Sequence, residues 1–451
     1  MAPPLCTPAI AGSHARRYDA ARENFHLFCA PGVAMPTPLG LKFTVCLTLP
    51  ALFSTPGLLV AQERPIVLKA STVLDGKGKV LHNTLIVVKG EKIARIGGAP
   101  PQGAVTYDLT SLTVSPGWID LHVHPTWHFD AHGRLAGENE PKEQTVLAGA
   151  ANSWKMLAAG FTTVQSVGSP LDKDIGDAIG GLGLPGPRIL TSLDPIFGRG
   201  DSTGTPEELR ALVQQHAQEG ADLIKIFASG SIREGGKPTL SQDQLNAICG
   251  EAKSVGRRTV VHAYGPSVRM ASLAGCTEVE HGLYATDDDL RFLAAQGTYF
   301  DPQAGLVVQN YLDNKAHYLG IGNYTETAFE TMQKVLPEFQ ELFRHAIRTP
   351  GLKVVFGTDA VAGAHGRNAE EFLYRVETCG QDAMAALVSA NSLAAEALRM
   401  QNRIGSLSPG FEADIIALDG DPLKDITAVR RVVFVMKAGK VFVNLPTGQN
   451  K

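Results

Sequence analysis

Neither charge dominates this chain: 41 lysines and arginines stand against 45 aspartates and glutamates, for a formal net charge of −4. With no basic stripe to neutralise phosphates, composition excludes nucleic acid as a partner. Cysteine is scarce as well, with six in 451 residues. Cys6, Cys29 and Cys46 fall in an N-terminal leader. Cys249, Cys276 and Cys379 lack the close spacing of a zinc knuckle and are read as small buried residues. Long apolar runs are missing too. The best candidate, Phe43 to Val60, contains Pro50 and Pro56 and is short for a span of ~20 residues, which argues against a stable membrane span.

That same run, after Met35 and Lys42 and ending at Ala61, reads as a secretory signal peptide over 35–61. A signal peptide belongs at the start of a chain, so 1–34 reads as an untranslated or disordered leader and translation is expected to begin at Met35. The protein is then exported, periplasmic or secreted, after cleavage near Ala61. The remaining composition, 44% hydrophobic and 19% charged, is that of a globular protein. Its length favours one large domain with a smaller companion.

Short strand-like runs at Ile66 to Ala70, Thr84 to Val88 and Ile93 to Ile96 alternate with Asp75-Gly76, Lys89-Gly90 and Gly97-Gly98 turns. The C-terminus repeats the pattern at Asp414 to Leu418, Val432 to Met436 and Val441 to Val443. Neither end has strands enough for a sheet with its own core. The two are therefore expected to pair as one small β-sandwich domain, 64–114 with 405–447.

Between them, 115–404 alternates strands with helices. Eight strand-length apolar runs begin near Trp118, Thr162, Arg188, Asp222, Thr259, Glu278, Gly297 and Lys353. Thr205-Pro206-Glu207-Glu208, Ser241 with Gln244, and Thr286 mark helix starts, and Gly160, Gly220, Gly256, Gly275 and Gly297 mark helix ends. Eight βα units predict an α/β (β/α)8 TIM barrel, whose functional groups gather at the C-terminal ends of the strands. Metal-type side chains fall there: His122 and His124 in Asp120-Leu121-His122-Val123-His124, then Lys225, His262, His281 and Asp359. The i, i+2 spacing turns both imidazoles of the first strand to one side. Lys225 lies between apolar neighbours, where an unpaired ammonium is costly. Asp120 is read as structural support.

From about Arg64 to Val443 the sequence resembles the amidohydrolase superfamily. The resemblance rests on Pro116-Gly117 before Asp120, His122 and His124, on the strand-four lysine, His262 and His281, on Gly357-Thr358-Asp359, and on Pro409-Gly410 through Ala413-Asp414. It implies a binuclear site. His122, His124 and Asp359 hold one divalent ion and His262 and His281 the second, both expected to be Zn2+, with Lys225 N6-carboxylated as the bridge. A hydroxide shared by the ions attacks an amide, and Asp359 shuttles its proton. Within the superfamily the pattern resembles the imidazolonepropionase-like branch, with its Xaa-Pro and Xaa-Arg dipeptidase-type members, which act on dipeptides and N-acyl amino acids.

That likeness makes Tyr264 a substrate-carboxylate contact. Loop candidates beside it are His128, Arg199, Arg233, His365 and Arg367. The substrate is accordingly a small molecule carrying a carboxylate, and homo-oligomerisation stays open. Lactone or organophosphate hydrolysis, cyclic-amide (imidazolone-like) hydrolysis and a non-catalytic scaffold are the alternatives, because fold and ligands alone do not separate them.

Overall fold

The computed structural model describes residues 64–137, 140–200 and 202–446. The segments read as leader and signal peptide, with Cys6, Cys29 and Cys46, lie outside the described residues.

The described chain opens with β1 (Ile66–Leu74), β2 (Val80–Lys89), β3 (Lys92–Ile96) and β4 (Val105–Pro116). Asp75 tightens the β1–β2 turn, its Oδ1 accepting from Lys77 N at 2.7 Å and Lys79 N at 2.9 Å. β1 runs antiparallel to β2 and parallel to β4. β4 is a 12-residue strand absent from the sequence expectation. Its first half is mostly exposed, with Leu109 buried, and Val105 to Thr110 alternate apolar with polar residues, a strand signal that the expectation passed over.

The barrel follows as β5 (Trp118–Val123), β6 (Phe161–Ser166), β7 (Arg188–Thr191), β8 (Ile196–Phe197), β9 (Leu223–Phe227), β10 (Arg258–Ala263), β11 (Glu278–His281), β12 (Tyr299–Asp301) and β13 (Lys353–Val354). They pair in parallel as two arcs, β5-β6-β7 and β8 through β13. Asp222 N donates to Thr191 O at 2.8 Å and Leu121 N to Phe356 O at 3.0 Å, which joins the arcs at both seams. The eight expected strand positions are filled, and the two-residue β8 is an addition between the third and fourth. The intervening helices start where their caps predict: Thr205 with Glu208 and Ser241 with Gln244 form reciprocal capping boxes, and Thr286 forms one with Asp289.

β14 (Ile415–Leu418), β15 (Val432–Lys437) and β16 (Lys440–Asn444) return to the first strands, and β14 pairs antiparallel with β4. Both ends of the described chain thus share one seven-stranded sheet. It curls on itself: Ile93 N donates to Phe411 O at 2.9 Å and Ala413 N to Glu91 O at 2.8 Å, tying β3 to the chain entering β14. Leu68, Val73, Ile86, Val114, Ile415 and Phe434 form the core inside. Asp414 connects this sheet to the barrel, accepting from Arg188 Nη1 at 3.1 Å and from Ala438 N at 2.8 Å, while its backbone carbonyl accepts from Gly117 N at 2.9 Å.

The cysteine expectation needs correction. All three body cysteines are buried, but Cys249 and Cys276 form a disulfide and only Cys379 is free. The pairing is a product of the fold, which lays helix Gln242–Ser254 beside the turn before β11 and brings the two Cα atoms to 5.2 Å across a 27-residue separation. A loop of that length corresponds to about 3.5 kcal/mol of restricted unfolded-chain entropy. The Cys249→Ser/Cys276→Ser variant is therefore expected to lose stability of that order in urea denaturation. An unchanged midpoint would show that the crosslink contributes nothing.

Candidate metal centre

At the C-terminal ends of the strands the sequence-predicted donors converge. His122 Nε2 lies 3.3 Å and His124 Nε2 3.2 Å from Asp359 Oδ1. Donor atoms of His122, His281 and Asp359 all fall within 4.8 Å of one another. The His262 and His281 rings stand 4.6 Å apart, and those of His122 and His281 5.3 Å apart. Strand alternation alone would turn His281 away from the side that Glu278 and Glu280 share. Its positive φ of 65° breaks the alternation and returns the ring to the cluster.

Asp359 (φ 51°) and Gln303 (φ 45°) share this left-handed backbone at the same rim. Each such non-glycine residue costs of order 1–3 kcal/mol and persists only where its surroundings impose it. Gly357 supplies part of the surroundings. A Cβ there would lie 2.0 Å from Asp301 Oδ2 and 3.0 Å from the His122 Cβ, so glycine allows both groups to crowd the turn leading to Asp359. Asp120 braces the other side, accepting from His122 N at 3.1 Å, Thr358 N at 3.0 Å, Thr358 Oγ1 at 2.7 Å and Asn368 Nδ2 at 2.7 Å.

Lys225 is wholly buried, and its Nζ is paired with Glu280 Oε2. The other oxygen of Glu280 lies 2.8 Å from His122 Nδ1, so the lysine reaches the donor cluster through one carboxylate. Burial opposes ionisation of Glu280, but His122 and Lys225 outweigh it and hold its pKa well below the usual carboxylate range. Glu280 was missed from sequence; the signal available was its i, i+2 spacing from Glu278 on a strand facing the barrel interior. Asp301 and Gln303 were missed too. Asp301 accepts from Gln303 Nε2 at 2.6 Å and pairs with buried Arg375 at 3.3 Å. Gln303 Nε2 also stands 3.3 Å from His122 Nδ1.

A cavity of about 340 Å3 opens over the donors, lined at its base by His122, His124, His262, His281 and Asp359. Tyr264 lines it as expected, its ring 4.8 Å from that of His262 and 5.5 Å from that of His281. Val307, Val308, Met332, Phe339 and Val361 form an apolar wall, much of it from helices Leu306–Asp313 and Glu326–Arg348 in the excursion between β12 and β13. Arg233 also faces the cavity, stacked 4.3 Å over the Tyr324 ring with Nε donating to Asn323 Oδ1 at 2.9 Å. Among the described residues no carboxylate forms an ion pair with it.

The other proposed substrate contacts do not line this cavity. His128 is 2.9 Å from Glu140 Oε2 and bonded to Thr126 O. Arg199 is exposed on its loop. His365 is buried behind the first strand, where its Nε2 meets His124 O at 3.0 Å and burial lowers its pKa to about 3. Arg367 is paired with Glu370 at 2.9 Å. Chain position alone put these groups on the right loops but did not give their direction.

The donor set fits a divalent cation. Burial lowers the pKa of His122 and His262 and takes that of His281 to about 4, so the imidazoles are neutral with lone pairs to offer. Burial works against the Asp359 carboxylate; positive charge on His122, His124 and His281 when protonated, with a hydrogen bond from His124, outweighs it and holds its pKa well below the usual carboxylate range, and beside neutral imidazoles a bound cation would supply that charge. His124 turns Nε2 toward Asp359, and its Nδ1 is buried on the other side of the ring without a partner.

Comparison with known proteins agrees with this chemistry. The amidohydrolase family model matches residues 113–442. Ochratoxinase of Aspergillus niger is 25% identical over 477 aligned residues, covering 91% of this chain and 95% of that protein. A Xaa-Pro dipeptidase structure with methionine bound in its active site superposes with a TM-score of 0.76 at 29% identity, covering 84% of this chain and 100% of that one. A prolidase complexed with N-methylphosphonate-L-proline gives 0.75 at 26% identity with the same coverage.

Proposed function

This chain belongs to the amidohydrolase family and is a hydrolase acting on carbon–nitrogen bonds; from that premise we propose that it cleaves the amide between an acyl group and an apolar amino acid whose carboxylate is free. The observation carrying the proposal is Arg233. It is the one permanent cation among the described residues lining the cavity; Glu234 lines it too but accepts from Asn323 Nδ2, and among the described residues no carboxylate forms an ion pair with Arg233. A neutral lactone or phosphotriester would give that guanidinium no anionic partner, whereas a substrate carboxylate pairs with it by charge-assisted hydrogen bonds.

His122, His124, His262, His281 and Asp359 would hold two divalent ions, of which zinc suits the imidazole-rich set, with Lys225 as a carboxylated bridge. Bound ions would supply Lewis acidity toward the amide carbonyl and lower the pKa of water. The remaining work falls to side chains of this chain. Arg233 and the Tyr264 hydroxyl orient the carboxylate, and Val307, Val308, Met332 and Phe339 enclose the amino-acid side chain and exclude water. Asp359 takes a proton from the attacking water and delivers it to the leaving nitrogen.

The protein is proposed to act after export. A buried Cys249–Cys276 disulfide suits an oxidising compartment, and no helix among the described residues is long and apolar enough to cross a membrane.

The test compares N-acyl-L-phenylalanine with its C-terminal amide. Loss of a charged hydrogen-bond partner predicts a kcat/KM higher for the free acid by about 10- to 100-fold. Arg233→Ala should bring the two substrates close together, mainly by raising KM for the acid. Equal wild-type rates on acid and amide would refute carboxylate recognition.

A further inference from the structure

His128 and His365, which miss the catalytic cavity, both line a separate one of about 370 Å3 that shares no lining residue with it. This second cavity lies behind the first barrel strand, against helix Lys142–Ala158, and its volume is within the range of small-molecule sites. Two of its polar groups are unsatisfied. His365 Nε2 stands 3.0 Å from His124 O. A carbonyl only accepts, so Nε2 carries the hydrogen of the neutral ring and Nδ1 keeps a lone pair. Among the described residues that lone pair meets no donor, although His365 is only 8% exposed. Lys155 is the second group. Its Nζ donates to Asn152 Oδ1 at 3.1 Å but forms no ion pair among the described residues, so further N–H donors and a full charge remain. The other polar groups are already bonded. His128 donates from Nδ1 to Thr126 O and from Nε2 to Glu140 Oε2, both at 2.9 Å, and Asn152 Nδ2 donates to Pro125 O and Trp127 O. Phe129, Ala148 and Ala151 make the rest of the lining largely apolar.

The complement of this set is a compact acid with an ionised carboxylate for Lys155, a hydroxyl that donates to the His365 lone pair, and a small apolar body. We propose that the cavity is an effector site for a small hydroxycarboxylic acid, and that its occupancy is transmitted to His124. The chain after β13 holds that residue at both ends of its backbone, Ala360 O accepting from His124 N at 2.9 Å and His365 donating to His124 O. A donor placed on Nδ1 fixes the His365 ring and strengthens Nε2–H as a donor, because linked hydrogen bonds polarise one another. The His124 imidazole is then held more firmly for a cation. This consequence rests on the metal centre proposed above, whereas binding of the acid does not.

The test titrates 3-hydroxybutyrate, and butyrate as the same chain without the hydroxyl, into the full chain incubated with zinc, followed by calorimetry. 3-Hydroxybutyrate is expected to saturate one site and butyrate to bind about tenfold more weakly, the effect of leaving a buried acceptor unpaired. Lys155→Met should weaken 3-hydroxybutyrate by at least about tenfold, whereas Arg233→Ala, which alters the catalytic cavity, should leave its binding unchanged. Saturating 3-hydroxybutyrate should also tighten zinc about fivefold in competition with a chelator, and should not do so in Lys155→Met. No saturable binding, equal affinity for butyrate, or binding lost with Arg233→Ala and kept with Lys155→Met overturns the site. Binding that leaves zinc affinity unmoved overturns the effector role. A protein that binds 3-hydroxybutyrate in the expected pattern but takes up no zinc keeps the site and defeats the metal-centre reading instead.

Discussion

Asp359→Asn is expected to lower kcat by about 10²- to 10⁴-fold, the usual contribution of a positioned acid–base group, with little change in KM or bound metal. Asparagine is the informative replacement because it conserves shape and tolerates the positive φ of 51° that Asp359 adopts. It keeps an oxygen toward His122 and His124, which stand 3.3 and 3.2 Å from Asp359 Oδ1, but removes the ionised carboxylate that receives a proton. Steady-state kinetics with metal analysis on the same sample separates the two roles. Turnover within about tenfold of wild type would remove Asp359 from proton transfer.

Lys225→Ala should have a second large effect, expressed first in composition and stability. Lys225 and Glu280 are both wholly buried and paired. In the metal-free, uncarboxylated form, removing the ammonium strands the Glu280 carboxylate, at a cost of about 3–5 kcal/mol. It also removes the side chain proposed to bridge the two ions, so bound metal should fall and activity with it. Short carboxylic acids such as propionate fit the chemistry of the vacated space and should restore part of both. A Lys225→Ala protein that retains full metal content and wild-type turnover would leave the lysine with only a structural part. Glu280→Gln tests the relay between them. Loss of a carboxylate behind a ligating histidine typically weakens metal binding by about 10- to 100-fold.

The barrel was legible because its signals are local. Capping residues such as Thr205 and Ser241, and the glycines that end helices, set the period of the βα repeat before any tertiary contact forms. The donors were legible for a related reason, since strand ends in this architecture all point to one face. What escaped was contact that only closure of the ring creates. Glu280 adjoins a predicted ligand, yet its pairing with Lys225 spans 55 residues of sequence. β4 was also passed over, although Val105 to Thr110 alternate apolar with polar residues and the strand joins the two ends of the described chain into one sheet. Arg233 and Arg199 looked alike as loop arginines. Aromatic stacking on Tyr324 aims Arg233 into the cavity, and among the described residues no ring stacks on the exposed Arg199. The Cys249–Cys276 pair was hidden in the same way, by a spacing that means nothing until helix and strand pack.

Hydrolysis of an N-acyl-L-phenylalanine by chelator-stripped protein, followed as Zn2+ is added back, bears most directly on the metal centre proposed for His122, His124, Lys225, His262, His281 and Asp359. Stripped protein should be inactive, with activity rising in proportion to added metal and levelling at about two ions per chain. Full activity in metal-free protein, or a plateau reached with no ion bound, would contradict the account.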